Sequence, residues 1–335
     1  MFFKKGGNLD VQMSVTIEEQ KKGDEKMKLK ELLEVWLERY MKHTIKIRTY
    51  NRYKSICDLH LIKDLGEYEL DELKPNVLQD FLLKKIDDHY STNTIKGIVS
   101  VLKQALRLAI TLEFVDKEYC SNLKMPSSEE KEISVFTKKE QQVIESFCLN
   151  HKKRNYIGIV ICLYTGIRLG ELLALTWDDI DFTSNLLTIN KTSYSAKVDG
   201  KTQIIVDKPK TKKSNRVIPL PNQLVKLLKV IKKESNSKYV ITTRNLGMVG
   251  NRSYQRTFKF ILKKVNVPYR NFHSLRHTFA TNAIELGMDV KTLAEILGHT
   301  NAMITLNRYS HSLLNYKIEM MNKLGKNLNL SIRNA

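Results

Sequence analysis

Between Leu29 and Ile110 the apolar side chains return every three or four residues, which only a set of helices can bury on one side. Leu29, Leu32, Leu33, Trp36, Leu37 and Tyr40 form one such face. The same spacing continues over Ile47–Leu59, Lys74–Ile86 and Ser91–Leu112, where Ile95, Ile98, Leu102, Leu106 and Ile110 line one side. The pattern predicts an all-helical unit over residues 28–126, closing near Lys124-Met125-Pro126. The 335 residues leave room for a second domain.

Ser127-Ser128-Glu129-Glu130-Lys131-Glu132 has no apolar period, so residues 127–133 read as a linker and residues 134–335 as the second domain. Thr137 followed by Glu140 fits a capping box that opens a helix. A helix over Asn155–Tyr164 should halt at Thr165-Gly166, and another should run from Leu169 to about Trp177-Asp178-Asp179. The period then changes. Leu186–Asn190, Gln203–Val206 and Arg216–Leu220 read as short strands, with Asp199-Gly200 as a hairpin turn and Tyr239–Thr242 as a further strand candidate. From Asn251 onward the reading is helical. The expected fold is mainly α: an all-helical domain, then an α-rich domain with a small antiparallel β-sheet. Residues 1–27 read as a short polar tail.

The chain carries a formal charge of +20, and residues 134–335 hold the entire surplus with 33 basic and 13 acidic side chains. Residues 28–126 are nearly neutral at +2. Such an excess points to a polyanion, either nucleic acid or an anionic membrane surface. The longest apolar run, Ile157–Leu163, falls well short of the ~20 residues that span a membrane, and the first residues show no secretory signal. Cys57, Cys120, Cys148 and Cys162 are scattered, which argues against a disulfide scaffold or zinc knuckle and for a reducing cytoplasm.

Four clusters between residues 165 and 309 carry possible chemistry. In Thr165-Gly166-Ile167-Arg168-Leu169-Gly170-Glu171, Arg168 opens a helix with Glu171 three residues on, so the carboxylate lies beside a guanidinium able to fork onto phosphate oxygens. By itself this is also an ordinary surface ion pair. Lys208-Pro209-Lys210-Thr211-Lys212-Lys213-Ser214-Asn215-Arg216 holds five basic residues and no acid between two strand candidates. It reads as a hairpin tip that enters a DNA groove, or as a solvated basic turn. In His273-Ser274-Leu275-Arg276-His277, His273 and Arg276 share a helix face, a pairing suited to proton transfer near a phosphate. His273 and His277 also invite a zinc reading, but Ser274 stands where a metalloprotease helix carries Glu. Last come Leu297-Gly298-His299 and, ten residues after His299, Tyr309, a nucleophile candidate that alone would read as a packed aromatic.

In this order the clusters resemble the tyrosine recombinases, the integrases of phages and mobile elements, over about residues 28–325. The resemblance implies a core-binding domain at 28–126 and a catalytic domain at 134–335. It implies that Arg168 and Arg276 bind the non-bridging oxygens of the scissile phosphate and that His299 hydrogen-bonds the same group. His273 would assist proton transfer, Lys210 would protonate the leaving 5′ oxygen, and Tyr309 would become joined to the 3′ phosphate. Glu171 would support Arg168, and Lys212 would contact DNA. Neither metal nor ATP is implied, although Asp178, Asp179 and Asp181 superficially invite a Mg²⁺-nuclease reading.

In the helical domain, Thr49, Arg52, Thr94 and Lys96 sit near helix starts that would meet phosphates, or end as solvated helix ends. The implied partners are duplex core sites and three further copies of the chain on synapsed DNA, the free protein being a monomer or weak oligomer. An accessory DNA-bending or directionality factor fits the same scheme; a membrane does not. The segment Ser312–Leu324 resembles the part that packs onto a neighbouring protomer, with a self-packed helix as the alternative. Residues 1–27 are too short for an arm-site-binding domain. Two other functions stay open at this point: a type IB topoisomerase-like relaxing enzyme, and a non-catalytic DNA-binding regulator.

Overall fold

A computed structural model describes residues 26–127, 134–151, 153–198, 200–207, 215–299 and 313–327. Contacts divide the chain into two compact units, Met1–Glu130 with Ala196–Lys201, and Lys131–Ser195 with Thr202–Ala335.

The first unit contains α1 (Leu29–Val35), α2 (Ile47–Ile56), α3 (Ile62–Leu65), α4 (Pro75–Asp87) and α5 (Thr92–Thr111). Its core gathers Leu29, Leu32, Leu33 and Trp36 with Ile95, Ile98, Leu102 and Leu106, the faces expected from the spacing. Tyr40 departs from the expectation and is 38% exposed. The cause is a π-helical stretch over Trp36–Met41, whose wider turn rotates the following residues out of the α-helical register. A second π-helical stretch, Cys57–Leu61, joins α2 to α3. The long helix α5 starts cleanly because the Ser91 hydroxyl accepts from the Thr94 amide. Beneath α4, Asp64 holds both Lys84 (2.7 Å) and the buried Lys85.

The second unit is built round α7 (Ile157–Thr165), whose Ile157, Ile159, Val160, Ile161 and Cys162 are all buried. A helix apolar on every side must sit inside, and α7 packs against α6 (Lys138–Asn150) and α11 (His273–Glu285). The Thr137 capping box opens α6: its hydroxyl accepts from the Glu140 amide at 3.3 Å, and its own amide donates to Glu140 Oε2 at 2.8 Å. Helix α7 stops at Gly166, which takes the left-handed conformation at φ 64°. The next helix, α8 (Leu169–Ala174), ends earlier than its sequence suggests. Leu175 is already extended, and Trp177–Asp179 form a separate 3₁₀ turn capped by Thr176 and Asp179.

Strands β1 (Ile180–Asp181), β2 (Leu186–Ile189) and β5 (Arg216–Pro219) form one antiparallel sheet in the order β1-β2-β5. Strands β3 (Thr192–Val198) and β4 (Lys201–Asp207) form a second, two-stranded sheet. This corrects the hairpin expected at the basic run. That run connects β4 to β5, yet β5 pairs with β2, through Leu187↔Ile218 and Ile189↔Arg216, rather than with β4. The described hairpin is β3–β4, which turns near Gly200. Tyr239–Thr242 is not a strand; it makes isolated bridges from Tyr239 to Thr176 and from Thr242 to Met248. Strand β3 and helix α9 (Asn222–Lys233) were not anticipated. The remaining helices are α10 (Asn251–Lys264), α12 (Val290–Leu297) and α13 (Leu313–Asn327). Within the second unit α13 packs against α11. Among the described residues no helix is long and apolar enough to cross a membrane.

Candidate active site

One helix-ending turn and one strand converge on a single carboxylate. Arg168 is the residue before α8, and its backbone amide donates to Glu171 Oε2 at 2.8 Å while its Nη1 donates to Oε1 at 2.9 Å. Arg216, the first residue of β5, reaches the same group from the other side. Its Nη1 donates to Oε1 at 3.0 Å and its Nη2 to Oε2 at 2.8 Å. Four donors thus share the two oxygens of a side chain that is 4% exposed. Burial alone would push the Glu171 carboxyl up, but the hydrogen bonds and charge of Arg216, with the charge of Arg168, hold it at about 2. Glu171, expected to support Arg168, lies 2.9 Å from its Nη1 and is also the buried partner of Arg216.

Arg216 also reaches the end of α12. Its Nε donates to the carbonyl of Ile296 at 2.6 Å. Gly298 caps α12 in the left-handed conformation at φ 65°, and a Cβ there would stand 3.0 Å from the Arg216 side chain. The absent side chain therefore lets the turn lie on the guanidinium. From the same turn, the Gly298 carbonyl accepts from Arg168 Nη2 at 3.2 Å. The next residue is His299, whose amide donates to the Ala294 carbonyl at 2.9 Å.

Arg276 lies one turn into α11 and is 2% exposed. Its Nη1 donates to the Gly166 carbonyl at 2.9 Å and its Nη2 to the Leu297 carbonyl at 2.7 Å. It thus ties the turn before Arg168 to the turn before His299. Glycine suits position 166 because of its φ of 64° and because a Cβ there would fall 2.5 Å from the Phe279 ring. His273 is the exposed first residue of α11, with its ring centroid 4.7 Å from that of His277 in an edge arrangement.

The structure therefore brings Arg168, Glu171, Arg276 and the Gly298–His299 turn into one network and places His273 one turn before Arg276. Lys210, Lys212 and Tyr309 lie outside the described residues. Arg216 is the member that sequence reasoning passed over as the tail of a basic run. Alternation along β5 held the clue: Arg216 and Ile218 are buried while Val217 is 52% exposed, so the charged residue points inward and the apolar one outward.

The acidic group after α8 has other tasks. Asp179 is 5% exposed and pairs with Lys191 at 2.7 Å, while Asp181 accepts from the amides of Thr183 and Ser184. Among the described residues no group of His, Cys, Asp and Glu is arranged to hold a metal ion. In the first unit, Arg52 and Thr94 line one open groove, and the Arg52 guanidinium lies over Gly97 of α5. Thr49 is half-buried and Lys96 exposed.

Residues 134–315 match the model of the phage integrase family, and residues 28–86 match its N-terminal SAM-like domain. A tyrosine recombinase XerC-like protein of Caldanaerobacter subterraneus is 30% identical over 326 residues, covering 88% of this chain and 83% of the relative. The transposase of transposon Tn916 from Enterococcus faecalis is 28% identical, covering 82% of this chain and 72% of the relative. The Tn1549 transposon integrase, solved with a circular intermediate DNA, shares the fold at a TM-score of 0.76 and 23% identity, covering 89% of this chain and 99% of that one. A lambda integrase tetramer bound to a Holliday junction shares it at 0.65 and 18%, covering 90% and 84%. The chain belongs to the phage integrase family, the tyrosine recombinases.

Proposed function

We propose that this chain is a site-specific DNA recombinase that cuts and rejoins duplex DNA through a covalent bond between Tyr309 and the 3′ phosphate. The observation that carries the reading is the network joining Arg168, Arg276 and the His299 turn through Glu171 and backbone carbonyls. Two guanidiniums held in place by structure, rather than by the substrate, suit a phosphorane-like transition state because they need no rearrangement as charge develops. Arg168 keeps 37% of its side chain exposed, so it can both hold Glu171 and meet a phosphate.

The family resemblance implies the steps. The Tyr309 phenol oxygen attacks the scissile phosphorus, and its proton passes towards His273. The P–O5′ bond breaks, and the 5′ oxygen takes a proton from Lys210. Arg168, Arg276 and His299 bind the non-bridging oxygens throughout. One phosphodiester is exchanged for a phosphotyrosine ester of similar energy, so a 5′ hydroxyl from a second DNA reverses the reaction without ATP. Residues 28–126 act as a core-binding domain and 134–335 as the catalytic domain. Thr49, Arg52, Thr94, Lys96 and Lys212 contact DNA, and four copies assemble on synapsed core sites in the cytoplasm.

The test is a nicked suicide substrate carrying the core site. Wild-type protein should accumulate a covalent adduct, whereas Tyr309→Phe should bind the same DNA and form none. A normal adduct yield from Tyr309→Phe would remove the nucleophile assignment.

A further inference from the structure

Away from the catalytic network, the second unit has an open cavity of about 740 Å³ whose lining includes Lys153, Arg154, Arg244 and Arg256 and no acidic residue. None of its lining residues belongs to the Arg168–Glu171–Arg216–Arg276 network. Helix α10 supplies one wall with Ser253, Arg256, Thr257 and Phe260, spaced three and four apart along a single face. The opposite face of α10, with Tyr254, Phe258, Ile261 and Leu262, is buried in the core. The other walls are the turn at Thr242–Arg244 and the 3₁₀ turn Arg154–Tyr156.

These walls are fixed to one another. Asn155 donates to the Thr242 carbonyl at 2.8 Å and accepts from the Thr242 amide at 3.1 Å. The Tyr254 hydroxyl donates to the Asn155 carbonyl at 2.6 Å, which ties α10 to the same residue. The cavity is therefore built by the fold before anything enters it.

None of the four cations forms an ion pair with a carboxylate among the described residues, although the charge of Glu234 acts on Arg154. Arg154 donates to the Ser235 hydroxyl and lies 5.6 Å over the Trp177 ring, yet its Nε is buried without an acceptor. Lys153 stands 5.9 Å from the Tyr156 ring centroid and 6.0 Å from that of Phe260. Four like charges around one cavity repel each other, and an anion removes that repulsion. The space is much larger than one phosphate needs and is open to solvent, which fits a polymer passing through rather than an enclosed ion. Phe260 is 45% exposed within this basic lining, and an aromatic ring among cations is a combination that suits a nucleotide strand.

We propose that this cavity is a second nucleic-acid site, taking backbone phosphates of bound DNA on Arg244, Arg256, Lys153 and Arg154 with a sugar against Phe260. The proposal rests on the recombinase reading for its choice of DNA as the polyanion. It places part of the affinity on a surface separate from the reacting phosphate.

The test uses the full chain and duplex DNA at several salt concentrations. Arg244→Gln combined with Arg256→Gln should weaken binding about tenfold at moderate salt. It should also lower the slope of log K against log salt by roughly 2, one for each lost phosphate contact. Lys226→Gln combined with Lys229→Gln removes two charges from exposed positions of α9 and should leave the slope close to wild type. Phe260→Ala should weaken binding with no change of slope. Equal effects from the α9 pair and the cavity pair would overturn the proposal, as would an unchanged slope in the cavity variant. So would a cavity variant that loses binding only to inorganic pyrophosphate or to a poly-glutamate probe. The Tyr309 adduct assay is separate: a wild-type chain that bound DNA through the cavity but gave no adduct would remove the recombinase reading and leave the site in place.

Discussion

Arg216 and Glu171 form a bidentate pair at 2.8 and 3.0 Å, with side chains 5% and 4% exposed, between a strand and a helix 45 residues apart. The pair is the hinge point of the network, because Glu171 also holds Arg168 and Arg216 also holds the carbonyl of Ile296. Removing one member leaves the other charged and buried. Arg216→Met should therefore cost about 3–5 kcal/mol of unfolding free energy and reduce adduct formation sharply. Replacing both, as Glu171→Leu with Arg216→Met, should recover much of the stability, since apolar residues tolerate that site. It should not recover the adduct, because Arg168 then loses the carboxylate that holds its Nη1 and its backbone amide. Chemical denaturation and adduct assays on the same variants separate the two effects.

The pH dependence of stability follows from the same carboxylate. Glu171 sits at about 2 in the folded chain against an ordinary 4.5. Its contribution is present in full above the ordinary value and is lost as pH falls from about 4.5 towards 2. Wild-type protein should therefore lose stability more steeply in that window than Glu171→Gln, which has no proton to take up. The readout is the difference between the two curves, since other paired carboxylates such as Asp64 are also held below their ordinary value. Parallel curves would show that Glu171 is not held ionised.

Gly298→Ala should injure the site by two routes. The left-handed backbone at φ 65° costs about 1–2 kcal/mol for a residue with a Cβ. The new methyl would also press on the Arg216 side chain from 3.0 Å. The expected result is a lower melting temperature together with slower adduct formation at saturating protein. A variant with lowered stability and normal adduct kinetics would show that the turn does not position His299.

Thr137→Ala serves as a contrast far from the chemistry in sequence. It removes the hydroxyl that accepts from the Glu140 amide at the start of α6. Loss of such a cap costs about 1 kcal/mol. Thermal unfolding should show a modest drop, and adduct formation should stay at the wild-type rate.

Local chemistry made much of the chain legible in advance. The helix spacing, the Thr137–Glu140 cap and the stop at Thr165-Gly166 depend on residues a few positions apart, and the structure reproduces them. Tyr40 escaped because one π-helical stretch, invisible in the spacing, rotated it to the surface. The sequence by itself also supplied Arg168, Glu171, His273, Arg276 and His299 as candidates, since each stands in a recognisable local string. Only the tertiary structure decided how they connect. Strand β5 pairs with β2 instead of β4, and that pairing turns Arg216 inward onto a carboxylate 45 residues away. The physical reason is that a buried charge is stable only beside its partner, and the partner's place is set by long-range packing that no local pattern records.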